Sequence, residues 1–232
     1  MLQKEAEERS KAEKRQKEIE QENISSAAPY LDKGIAAFRD RNYNEAIAYF
    51  SKAIEFYNKY YRAYSWRGAA YSAKRDFDKA LSDYSKYAAI APDNRSKSFA
   101  NYQIARLYDE KEDFKLADNF FKIAIGFEFR EKTQDEITDK SVILNAVAWF
   151  YATCKNKDYR DAQKAIKYAT EACVITDWNN SGIIDTLAAA YAEAENFDDA
   201  VRMQKKALAI ATSDKKDDYQ KRLTMYLNKQ KP

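Results

Sequence analysis

The feature that most constrains this chain is an interval of 34 residues at which it resembles itself. Gly34 and Gly68 stand 34 residues apart, and the same interval separates Tyr43 from Phe77, Ala46 from Ala80 and Phe50 from Tyr84. The second half of each copy carries the clearest pattern. NYNEAIAYFSKAI at 42–54 aligns with DFDKALSDYSKYA at 76–88, DFKLADNFFKIAI at 113–125 and NFDDAVRMQKKAL at 196–208. Each has an aromatic residue followed three positions later by Ala, and most then have a large residue four further on and a small one three beyond that. A fifth copy, AIKYATEACVI at 165–175, places Ala165, Ala169 and Ala172 in the same way. Its leading aromatic, Tyr159, stands six residues ahead of Ala165 instead of three, which predicts a longer turn through KNKDYRD.

Positions three and four apart share one face of an α-helix. A small residue there lets two helix axes approach, and a large one a turn later fills the groove beside it. The segments preceding each copy fit a partner helix: AAPYLDKGIAAF at 27–38, YRAYSWRGAAYS at 61–72, FANYQIARLYDE at 99–110, ILNAVAWFYATC at 143–154 and GIIDTLAAAYAEA at 182–194. In these, Gly34, Gly68, Ala105 and Ala188 are the small residues expected against the partner. Composition agrees. With 45% hydrophobic residues the chain can bury a core, and 4 Gly and 3 Pro in 232 residues are too few for a sheet protein built on tight turns.

This combination of period and residue pattern resembles the tetratricopeptide repeat family, over about residues 27–212. The resemblance implies an all-α fold: a right-handed α-α superhelix of about five helical hairpins, at about 27–60, 61–94, 98–131, 141–178 and 181–212, closed by a capping helix at 214–232. The chain departs from the family pattern in two places. Only the second unit ends on the usual proline, Pro92. The link near 126–140 is longer than the period allows and predicts extended helices or an excursion. The last third, with WFYATC, then RDAQKA, then DTLAAAYAE, resembles a narrower repeat module common in bacterial proteins and implies a bacterial origin. In the capping helix Tyr219, Leu223, Tyr226 and Leu227 are expected to face inward, as the end of an array otherwise exposes apolar surface.

Residues 1–25 form a separate block. Its first 23 residues hold six basic and seven acidic side chains, paired three or four apart as in Glu5 with Arg9. Its apolar residues make no heptad seam, so a solvated helix or stalk is expected. Ser25-Ser26 should interrupt it, with Pro29 in the first turn of the array.

Several functions are disfavoured. The chain has no His, which removes the commonest general base and metal ligand. Two Cys, Cys154 and Cys173, cannot form a four-thiolate zinc site; they are expected to be packed hydrophobes, with a disulfide between them as the alternative if their Cα atoms come within about 7 Å. The four Gly are too scattered for a phosphate loop. No catalytic residue, metal, cofactor or small-molecule substrate is expected. With 40 basic and 37 acidic residues interspersed, nothing suggests a nucleic-acid partner. No run is long and apolar enough to span a membrane, so membrane contact requires an anchor that has been removed. The compartment stays open between the cytoplasm and, if a signal has been trimmed, the periplasm. Asp185 and Glu193 are expected to be solvated acids, with Asp185 or Thr186 capping a helix.

The resemblance implies an adaptor or scaffold that binds another protein or peptide in the concave groove lined by the first helix of each hairpin. On that mapping the groove takes Phe38 and Arg39, with Leu31 and Ile35, from the first unit. Arg62 and Trp66 come from the second, and Phe99, Tyr102 and Arg106, with Asp109, from the third. Aromatic residues and Arg are the usual interface anchors. Chaperone adaptors of the family clamp a C-terminal carboxylate at set positions. Here those positions hold Leu31, Ile35, Ser65, Ala69 and Ser72, so tails of the EEVD type are not expected to bind. The alternative is a structural subunit that forms a homo-oligomer or larger complex through its N-terminal helix and convex surface.

Overall fold

The computed structural model describes residues 2–128 and 133–232, and part of the long link expected near 126–140 lies outside them. Among the described residues there are eleven α-helices and no strand. The chain divides into two compact units, residues 1–92 and 93–232. The first holds α1 (Leu2–Arg39), α2 (Tyr43–Phe56), α3 (Tyr61–Ala73) and α4 (Phe77–Ile90). The second holds α5 (Asn94–Glu110), α6 (Phe114–Ile125), α7 (Gln134–Thr153), α8 (Ala162–Ile175), α9 (Ser181–Glu193), α10 (Phe197–Ala209) and α11 (Ser213–Leu227).

Four of the hairpins turn in the same way without glycine. Arg41, Arg75, Glu112 and Glu195 each sit at a φ of 60° or 61°. A single left-handed residue stops a helix and lets the next amide bond back to it. Those bonds are Asn42 N to Ala37 O (2.8 Å), Asp76 N to Tyr71 O (2.9 Å), Asp113 N to Tyr108 O (2.9 Å) and Asn196 N to Tyr191 O (3.0 Å). The Asn or Asp that follows begins the second helix. Asp113 caps α6 by accepting from Leu116 N, and Asn196 caps α10 by accepting from Asp199 N. The longer turn ahead of α8 is filled by a single 3-10 turn, Lys157–Tyr159.

The repeated small and large residues meet as expected. A Cβ on Gly34 would lie 2.4 Å from a ring carbon of Phe50, and one on Gly68 would lie 3.2 Å from Tyr84. The aromatic ring occupies the space that a side chain would need, which draws α1 onto α2 and α3 onto α4. In the first unit Ala27, Leu31, Ala46, Phe50, Ala53 and Ala63 form the core. In the second, Ala165, Ala169, Ala172, Ala188 and Ala192 are fully buried, with Ile184 and Leu187 filling the space between close helices. Buried charge is paired. Arg67 Nε and Nη2 grip both oxygens of Asp83 at 2.8 Å, while Nη1 donates to Ser51 at 2.9 Å, so one fork ties α2, α3 and α4.

Four expectations are corrected. Ser25-Ser26 does not interrupt the N-terminal helix, because α1 runs unbroken from Leu2 to Arg39 with Pro29 inside it. Proline removes one main-chain bond, but strong helix formers lie on both sides, and Ser25 Oγ donates back to Gln21 O instead of competing for a turn. Leu227 is 58% exposed and does not face inward. Tyr219, Leu223 and Tyr226 follow a four-then-three spacing on one buried stripe, and the next residue is rotated about 100° away. Asn180, not Asp185 or Thr186, caps α9 by accepting from Gly182 N and Ile183 N. Asp185 is not solvated, since only 5% of it is exposed.

A candidate protein-docking face on the first helices

In the first unit, Phe38 at the end of α1 meets Trp66 of α3 edge-on, with ring centroids 5.4 Å apart. Trp66 also stacks on Phe50 at 6.3 Å. Both Phe38 and Trp66 are half-buried against the core, while Arg39 and Arg62 are exposed. Leu31 is a core residue, 1% exposed. Ile35, Ser65, Ala69 and Ser72 are half-buried and supply no cation.

The second unit brings Phe99, Tyr102 and Arg106 together on α5. Phe99 and Tyr102 lie 5.7 Å apart, and the Arg106 guanidinium sits 5.8 Å over the Tyr102 ring. Tyr102 is buried in the core of this unit, and Phe99 packs partly against it, so Arg106 is the exposed member of the three. Burial, with Glu110 adding to it, pushes the nearby Asp109 carboxyl above its ordinary range.

Beyond α1, the most open large apolar side chains described on a first helix are Val142 and Trp149 of α7, at 41% and 37% exposure. They are seven residues apart, hence on one face. Asn145 lies between them, its side-chain oxygen buried with no partner among the described residues. Beside Trp149 stands Arg222 of α11, its guanidinium carbon 6.0 Å from the indole centre. Arg222 Nε donates to Asp185 of α9 at 2.7 Å, and Gln204 of α10 donates to the same oxygen at 2.8 Å. Burial pushes the Asp185 carboxyl up, against the lowering pull of Arg222. Sequence patterns alone do not single out Trp149 or Arg222. The seven-residue spacing from Val142 was the available signal for Trp149. Arg222 pairs with a residue 37 positions away, which no local pattern reports.

Neither cysteine is poised for chemistry. Cys154 and Cys173 are free and buried, and burial pushes the Cys173 thiol up to about 12. Glu193 pairs with Arg160 at 3.1 Å, another acid taken up by structure. No group of three or more His, Cys, Asp or Glu among the described residues could hold a metal ion.

A family model for the tetratricopeptide repeat matches residues 27–60 and 61–94, and a second of the same description matches 182–213. The chain carries tetratricopeptide repeats. Over 61 residues, 26% of this chain, it is 39% identical to the heat shock protein sti1 homolog of Schizosaccharomyces pombe, a match covering 10% of that protein. Over 74 residues, 32% of this chain, it is 34% identical to the UDP-N-acetylglucosamine--peptide N-acetylglucosaminyltransferase of Giardia intestinalis, covering 5% of that protein. The chain thus spans a tenth or less of the length of these curated relatives. The crystal structure of YrrB, a TPR protein with an unusual peptide-binding site, superposes with a TM-score of 0.56 at 19% identity, over 88% of this chain and 95% of that one. At that identity the likeness is one of fold. Tetratricopeptide repeats are protein-interaction scaffolds, and this chain has their hairpin architecture. No described helix is long and apolar enough to cross a membrane.

Proposed function

We propose that the chain is a non-catalytic adaptor that binds a segment of another protein along the first helices of its repeats. The observation that carries this reading is the face of α7, where Val142 and Trp149 stay open to solvent although neighbouring Ile143, Leu144, Val147 and Phe150 are buried. An exposed Trp beside a half-buried Arg has the composition of an interface anchor. The paired acids and the absence of His support binding over catalysis. Within the first unit, Arg39 and Arg62 are the exposed cations expected to flank a bound segment over Phe38 and Trp66; within the second, Arg106 is expected to do so beside Phe99 and Tyr102.

A second reading, self-assembly through α1, is favoured by a different observation. Every described side chain from Glu7 to Glu22 is exposed, and this stretch meets the rest of the first unit through the hydrogen bond from Tyr57 to Glu20. Light scattering on the full chain and on residues 27–232 separates the two. The adaptor reading expects a monomer in both cases. A dimer or larger species that collapses on truncation overturns it and makes α1 the interface.

A further inference from the structure

The charge network between α9 and α11 has a feature that packing does not use. Asp185 is 5% exposed and Gln204 is fully buried; Gln204 donates to Asp185 and also to Tyr219 O at 3.2 Å. A buried ion pair is weak evidence for stability, because desolvation offsets much of the attraction. Tyr219, Leu223 and Tyr226 already bury one stripe of α11. What the pair does fix is the direction of a guanidinium.

Arg67 provides the comparison. All three of its nitrogens are bonded, to Asp83 and Ser51. Arg222 bonds through Nε alone, and among the described residues its two terminal nitrogens have no partner. Its side chain is 24% exposed, with the guanidinium 5.2 Å from the Tyr219 ring and 6.0 Å from that of Trp149. An arginine held from behind by a carboxylate, flanked by two rings and open in front, is preorganised to receive a planar anion in a bidentate bond.

We infer that the outward edge of Arg222, with Trp149 beside it, anchors an Asp or Glu side chain of the partner segment, next to an apolar residue that covers Trp149. This rests on the adaptor reading above and names the chemistry of its partner. The fork sets the class: among the described residues the two terminal nitrogens of Arg222 have no partner, and a carboxylate presents two oxygens in the same plane to match them. The open stripe of α7 from Val142 to Trp149, about 10 Å long at 1.5 Å per residue, suits a segment that passes by more than one that ends there.

The test selects a phage-displayed library of random 12-residue peptides on the full chain. Binders are then synthesised with free and with amidated C-termini, and affinities are read by fluorescence anisotropy. Selected peptides should be enriched in Asp or Glu beside an apolar residue, and changing that acid to its amide should weaken binding about tenfold. In Arg222→Lys, which keeps a charge for Asp185 but loses the outward fork, the same peptide change should have no further effect. Trp149→Ala, on an exposed side chain, should weaken binding while melting where the parent melts. Binders without an acid, or an acid whose removal costs the same in Arg222→Lys, overturn the anchor and leave the adaptor reading standing. Affinity that follows the free terminus replaces the side-chain anchor with a terminal one and so overturns it too. A library that yields no binder overturns both.

Discussion

Four of the hairpin turns pass through a left-handed residue and none of these is glycine, while Gly34 and Gly68 lie inside helices. Glycine here serves close approach. A Cβ at position 34 would meet the Phe50 ring at 2.4 and 2.6 Å, and Phe50 is fully buried and cannot step aside. At position 68 the contact with Tyr84 is 3.2 Å, and a shift of a few tenths of an ångström relieves it. Gly34→Ala should therefore destabilise the protein by about 1–3 kcal/mol through overpacking. Gly68→Ala should lie close to neutral, because a helix-propensity gain of about 1 kcal/mol offsets the smaller clash. Urea unfolding of both variants checks this, and equal effects would show that the two hairpins are not packed as described. The 34-residue interval between these glycines made the hairpins legible from sequence. The turns were not, since Arg41, Arg75, Glu112 and Glu195 carry no residue signal for a positive φ. The docking face was only half legible for a related reason. Core and surface positions of a first helix both use aromatics at helical spacing, so Tyr102, which is buried, and Trp149, which is open, look alike in sequence.

At the scale of elements, α1 combines two kinds of helix. From Ala27 onward it carries the core residues Ala27, Leu31 and Ala37 and packs on α2. Before that its described side chains are exposed or half-exposed, and a polar helix with no packed face depends on weak pairs such as Lys14 with Glu18 at 4.0 Å. One anchor reaches beyond the core: Tyr57, after α2, donates to Glu20, and burial together with that carboxylate pushes the Tyr57 hydroxyl up to about 12. Hydrogen exchange should therefore show a gradient inside one helix. Amides before Glu20 should exchange at nearly the rate of an unfolded peptide, and those after Ala27 should be protected to the level of α2. Uniform protection along α1 in dilute solution would contradict this and would point to a partner on its first half. Composition changes near residue 25 and burial begins at Ala27, but a solvated helix and a packed one can be the same helix, and serines at the junction do not break it.

At the scale of the molecule, each of the two units has its own core. Ala27, Phe50 and Ala63 belong to the first, and Tyr102, Val147, Leu187 and Tyr226 to the second. In a repeat array stability is close to a sum of units and their neighbour terms, and no single long-range core must form before the rest. The second unit also ends on its own cap. Tyr219, Leu223 and Tyr226 cover the last hairpin, and the Asp185–Arg222 pair ties that cover in place. A fragment of residues 93–232 should therefore fold alone, with a helical spectrum and a cooperative melt. Arg222→Ala within it should lower stability by about 3 kcal/mol, because the change leaves Asp185 buried without its cation. The same change in the full chain should lower stability by the same amount, since sites without shared partners act additively. If the fragment is unfolded, or if the effect of Arg222→Ala depends on residues 1–92, the two units share stability and the array must be treated as one cooperative body. If both expectations hold, the part of the chain that carries Trp149 and Arg222 is itself a folded module, and its binding can be measured with nothing else attached.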